Sequence, residues 1–123
     1  MFRAKGARGI TLITDAMMAM GMGPGQYMLG DRAVTVDATS ARLDGETLAG
    51  SILQMDAAIR NVIEFTGCTL ADALTMASAT PARVLGLENK GRIETDCDAG
   101  LVILDNALRV EMAIVRGEIV YEK

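Results

Sequence analysis

"GITLITDAM", residues 9–17, is the stretch on which the reading of the fold turns. Ile10, Leu12 and Ile13, interleaved with Thr11 and Thr14, have the β-branched, apolar content of a short buried strand. Asp15 follows at once. Behind it runs "MMAMGMGPGQ", residues 17–26, a loop by its three glycines and one proline. The letters "TDA" also read as a plain turn or helix cap after a strand, and by themselves favour that reading.

Working outward, "QYMLGDRAVTV" predicts two strands around a turn at Gly30-Asp31, and "ARLDGETLAGS" a second turn at Asp44-Gly45. Residues 26–48 therefore read as a small β excursion. Ser51 and Gln54 have capping-box spacing, which predicts a helix from Ser51. Ile52, Met55, Ile59, Val62 and Ile63 fall on one face of it, and Gly67 ends it. Thr69 caps a second helix, with Asp72 in its first turn and Leu70, Ala73, Leu74 and Ala77 on its buried face. Thr80-Pro81 predicts a fresh cap and a short third helix to about Leu85, closed by Gly86. From Gly91 the period becomes that of strands: one in "GLVILD", residues 100–105, and two in "RVEMAIVRGEIVYEK", joined at Arg116-Gly117. A strand followed by a long helix is half of a βαβ unit, whose parallel partner must lie elsewhere.

Composition bounds the function. The chain has 123 residues, half of them apolar and 23% charged, with a net charge of −4. That is one domain at most, able to bury a real core. The twelve Lys and Arg are scattered, so nucleic acid is not an expected partner. No apolar run approaches the roughly 20 residues that cross a bilayer, and "MFRAKGARGI" lacks the apolar core of a signal peptide. Cys68 and Cys97 make neither a disulfide framework nor a metal site by spacing, so a reduced cytoplasmic setting is expected. Histidine is absent altogether. That excludes a Ser–His–Asp triad, a histidine zinc site and imidazole acid–base chemistry within this chain. Catalysis here must use carboxylates, or residues from another chain.

Four stretches, taken in order, resemble N-acetylglucosamine-6-phosphate deacetylases of the amidohydrolase superfamily: "RAKG…GITLITDAM", "LDGETLAGSILQMDAAIRNVIEFTG", "TLADALTMASATPARVLGLENKGRI" and "DAGLVILD…VEMAIVRGEIV". The pairing of "TDAM" with "TLAGS" 33 residues on, from Asp15 to Leu48, is the part specific to the deacetylases. The "ASATPARVLGL…KGRI" and "LVILD" pieces mark only the superfamily. The resemblance covers essentially the whole chain, but only the C-terminal third of such an enzyme.

It implies an α/β fold: the end of a β/α barrel (last strand, β-hairpin excursion, helices), followed by C-terminal strands of a small β-domain. Residues 10–14 would be the eighth barrel strand, residues 1–87 the barrel segment, and residues 88–123 part of a composite β-sandwich. Barrel chemistry sits at the C-terminal strand ends, where Asp15 falls. By resemblance Asp15 is the catalytic general base. It takes a proton from a metal-bound water that attacks the acetamide, then returns it to the departing amine. The backbone of Leu48, Ala49 and Gly50 would line the sugar pocket. The same "TLAGS" letters also describe a plain helix entry. The parent's cofactor would be a divalent metal of zinc or iron type. Its glutamate and histidine ligands, and the groups holding the sugar phosphate, lie on earlier strands, so no metal is expected in this chain alone and no hydrolysis by it.

Two further features are weighed with the resemblance. Met17, Met18, Met20 and Met22 read as a substrate-touching lid or as adaptable core filler, with core filler preferred. In "ETDCDAG", Asp96-Cys97 and Gly100 replace a Gly-Lys pair and an acid common in the family, which puts that turn's geometry in question. The competing expectations are a piece of another amidohydrolase, dihydroorotase-like or adenine-deaminase-like, or a non-catalytic oligomerising module. Unpaired strand edges favour association between chains, so a homo-oligomer is expected, together with a phosphorylated amino sugar as the parent's substrate.

Overall fold

Backbone pairing and side-chain packing divide the chain into two compact units, residues 13–55 and residues 1–12 with 56–123. The computed structural model describes every residue except Asp44. Strands and helices are both present, as the sequence implies for an α/β protein.

In residues 13–55, β1 (Gly25–Leu29), β2 (Arg32–Val36), β3 (Ala41–Leu43) and β4 (Thr47–Leu48) form one antiparallel sheet in chain order. The β1–β2 hairpin turns at Gly30-Asp31, with Leu29 opposite Arg32. At the second expected turn Asp44 lies outside the described residues; the strands beside it pair Leu43 with Thr47. Alternation sends Val34, Val36, Ala41 and Leu43 to one face, where they close over Met17, Ala19 and Ala49. Of the four clustered methionines only Met17 fills this core; Met18, Met20 and Met22 are exposed. Asp37 builds the β2–β3 turn. Its carboxylate accepts the Thr39 and Ser40 N–H groups at 2.7 and 2.8 Å and both hydroxyls besides.

The other unit begins with α1 (Phe2–Lys5) and a 3-10 turn, Ala7–Gly9. Ile10 and Leu12 then pack with Phe2 and Ala7 onto a core of Ile59, Cys68, Ala73 and Met76. These core residues come from α2 (Met55–Thr66), α3 (Leu70–Ala77) and the link between them. The cap is as expected for α3: Thr69 and Asp72 form a complete capping box. The strands β5 (Leu101–Leu104), β6 (Val110–Val115) and β7 (Glu118–Glu122) make an antiparallel sheet in that order, with the β6–β7 hairpin at Arg116-Gly117 as read. Arg60 of α2 pairs with Asp56 at 2.9 Å and donates to the Leu108 carbonyl at 2.6 Å, fixing the loop before β6. No helix among the described residues is long and apolar enough to cross a membrane.

Three local expectations change. Residues 10–14 run without a strand ladder. The Leu12 N–H goes to the Met76 carbonyl of α3 at 2.9 Å, and among the described residues the only β pairing nearby is an isolated parallel bridge between Ala16 and Ser51. A strand needs a neighbour, and no described strand lies beside this segment. The helix expected from Ser51 begins at Met55, because the Ser51 main chain is committed to that bridge and its hydroxyl to the Leu53 N–H at 2.8 Å. Thr80 does not cap the third helix. That helix, α4 (Ala79–Val84), has Ser78 at its N-cap, and the buried Thr80 hydroxyl donates to the Ala7 carbonyl at 3.0 Å.

Candidate functional site

The site lies within residues 13–55 and is built on Asp15. Its backbone is left-handed, φ +51, a conformation most L-residues avoid and Asp tolerates. The Thr14 hydroxyl accepts a long, weak bond from the Ala16 N–H at 3.4 Å. The chain then turns so that the Asp15 carbonyl accepts the Ser51 N–H at 2.8 Å, and the Ser51 carbonyl accepts the Met17 N–H at 2.9 Å. These two bonds are the Ala16–Ser51 bridge. "TDAM" and "TLAGS", separated by 33 residues in sequence, are thus joined main chain to main chain.

The other residues read as pocket-lining divide by what they present. Gly50 stands directly against Asp15: a Cβ on it would lie 3.3 Å from the Asp15 carbonyl oxygen and 3.5 Å from Met17 Cβ. The Ala49 side chain is in the core and its N–H is given to the Ala41 carbonyl at 2.9 Å. Leu48, at the end of β4, leaves its side chain 64% exposed. Ser51, whose spacing to Gln54 predicts a helix cap, instead gives its main chain to Asp15 and Met17. A Gly-Ser pair ahead of a helix looks the same whether its main chain is free or bridged, so no local signal could have revealed it.

The Asp15 side chain is exposed, and among the described residues its carboxylate takes no hydrogen bond or ion pair. Asp37 is the contrast, its carboxyl pulled down to about 2 by the Thr39 and Ser40 donors, those of Thr39 foremost. A cavity of about 320 Å³ opens in the same unit, lined by Ala19, Gly21, Pro24, Val36, Asp37 and Ile52 among others. An unpaired carboxylate held on a fixed backbone can accept a proton from water and release it to an amine. Among the described residues no three His, Cys, Asp or Glu side chains converge to hold a metal ion, and the chain has no histidine. These donors do not fit a metal centre.

The Amidohydrolase family profile matches residues 3–120, and the chain belongs to that family, whose members are generally metal-dependent. Within it, the chain is 47% identical over 118 residues to the N-acetylglucosamine-6-phosphate deacetylase of Lysinibacillus sphaericus, covering 96% of this chain and 30% of the relative. It is 42% identical over 117 residues to the human enzyme of the same name, covering 94% of this chain and 29% of that one. The crystal structure of the Thermotoga maritima N-acetylglucosamine-6-phosphate deacetylase superposes with a TM-score of 0.88 at 39% identity, over 99% of this chain and 34% of the other. The chain spans about three tenths of the length of these deacetylases.

Proposed function

We propose that this chain carries the proton-transferring carboxylate and part of the substrate wall of an amidohydrolase that cleaves N-acetylglucosamine 6-phosphate to glucosamine 6-phosphate and acetate. The observation that supports it is the Ala16–Ser51 bridge, in which the Asp15 carbonyl accepts the Ser51 N–H, and which unites the two stretches most specific to the deacetylase resemblance. The relatives' names supply the substrate. In this reading Asp15 accepts a proton as water adds to the acetamide carbonyl, and gives it to the nitrogen as the C–N bond breaks. The backbone of Leu48, Ala49 and Gly50 lines the sugar pocket beside it. Residues 1–87 belong to the barrel part of the enzyme and residues 88–123 to its small β-domain, in a cytoplasmic, reducing setting that suits the free thiols of Cys68 and Cys97. The parent's divalent metal, of zinc or iron type, has its ligands outside this chain, and the chain by itself hydrolyses nothing.

The test is a hybrid in which this chain replaces the segment it matches in the Lysinibacillus deacetylase. The hybrid is expected to release acetate from N-acetylglucosamine 6-phosphate while the isolated chain does not. A folded hybrid without activity, or metal-dependent acetate release by the pure chain, contradicts the proposal.

The chain is also proposed to self-associate through unpaired strands. Supporting this, β5 is an edge of a three-stranded sheet, and its Val102 and Ile103 are exposed.

A further inference from the structure

We propose that Gly50 is a positioning residue for Asp15, rather than only a gap through which substrate approaches the main chain. The inference rests on the reading of Asp15 as the proton carrier, and deepens it. Asp15 holds a left-handed backbone, φ +51, at the end of a segment that has no strand ladder to fix it. What fixes it is the pair of main-chain bonds to Ser51: Ser51 N–H to the Asp15 carbonyl at 2.8 Å, and Met17 N–H to the Ser51 carbonyl at 2.9 Å. One bond on either side of Ala16 holds the two peptide planes that flank Ala16, the first of which carries the Asp15 carbonyl.

Gly50 is the residue that lets this clamp close. Its own φ is +123, which L side chains rarely adopt, and a Cβ there would press on the Asp15 carbonyl oxygen at 3.3 Å. The contact is with backbone, not with the tip of a flexible side chain, so relief must come by separating Ser51 from Asp15. The same point is also in van der Waals contact with Cβ of the buried Met17, 3.5 Å away. Any side chain at position 50 therefore loosens the backbone that aims the carboxylate. Proton transfer depends steeply on such aim, and a misplacement of about 1 Å can lower a rate roughly 10²-fold.

The experiment uses the hybrid deacetylase described above and the 123-residue chain itself. In the hybrid, Gly50→Ala is expected to lower kcat by about 10²-fold with KM changed less than about threefold. A raised KM with kcat intact means that Gly50 only lines the pocket, and overturns the proposal. Amide hydrogen exchange on the chain keeps the test independent of whether the variant folds. The Ser51 and Met17 N–H groups are expected to be protected in the unaltered chain, and exchange at unstructured rates overturns the clamp. Full activity of an Asp15→Asn hybrid would instead remove the functional reading and leave the exchange result standing, so the two failures are separable.

Discussion

Asp15 and Asp37 are both exposed acids, and the fold treats them oppositely. Asp37 is wrapped by the N–H and hydroxyl groups of Thr39 and Ser40, which favour the ionised form and hold its carboxyl at about 2 against an ordinary 3.8. Stability from that preference is fully present above about pH 4. It is lost as pH falls from there through about 2, where the folded form also takes up the proton. Denaturant midpoints measured down that range are expected to fall, and Asp37→Asn, which cannot titrate, is expected to flatten that part of the profile. An unchanged slope in the variant would mean that Asp37 makes no contribution. Asp15 has no such donors among the described residues, so its carboxylate holds no turn. Its place after an apolar run was legible in the sequence. Its left-handed backbone was not, nor was the hold on its carbonyl, which comes from a residue 36 positions later.

Among the elements, what was legible is what is locally determined. The α3 capping box involves only Thr69 and Asp72, and it forms as read. Both hairpin turns whose residues are all described, at Gly30-Asp31 and Arg116-Gly117, join adjacent strands and form as read. Two of the misreadings share one cause: a polar group that looks locally available is spent at a distance. Thr80 gives its hydroxyl to Ala7, 73 residues away, and Ser51 gives its main chain to Asp15 and Met17. Where α4 meets the following loop, Gly91 packs so closely that a Cβ would sit 2.8 Å from both Ala82 Cβ and the Ser78 carbonyl oxygen, at φ +77. Gly91→Ala is expected to destabilise the chain by about 2 kcal/mol or more, overpacking adding to backbone strain, read as a lower urea midpoint. Met76 of α3 has no exposed surface. Met76→Ala is expected to cost about 2–5 kcal/mol in the same measurement, and a loss below 1 kcal/mol would show that this core collapses around the gap.

For the whole molecule, the two free edges of the C-terminal sheet are not equivalent. β7 carries Glu118 and Glu122, which would face one another if two copies of β7 paired antiparallel about Val120. β5, "LVIL", carries no charge, and Val102 and Ile103 are substantially exposed. Self-association is therefore expected to run through β5. Sedimentation at micromolar concentration should show a dimer or larger species, shifted toward monomer by Ile103→Lys; a monomeric unaltered chain would contradict this. The family was legible because its motifs are contiguous strings; that two of those strings are joined main chain to main chain was not, since the bridge spans distant positions. How residues 10–14 behave was not legible, since a strand depends on its neighbours. The central claim concerns Asp15, and the most direct measurement is acetate release from N-acetylglucosamine 6-phosphate by the hybrid deacetylase carrying Asp15→Asn. The account predicts a fall in kcat of about 10²–10⁴-fold for a folded protein, whereas a rate equal to that of the unaltered hybrid would contradict it.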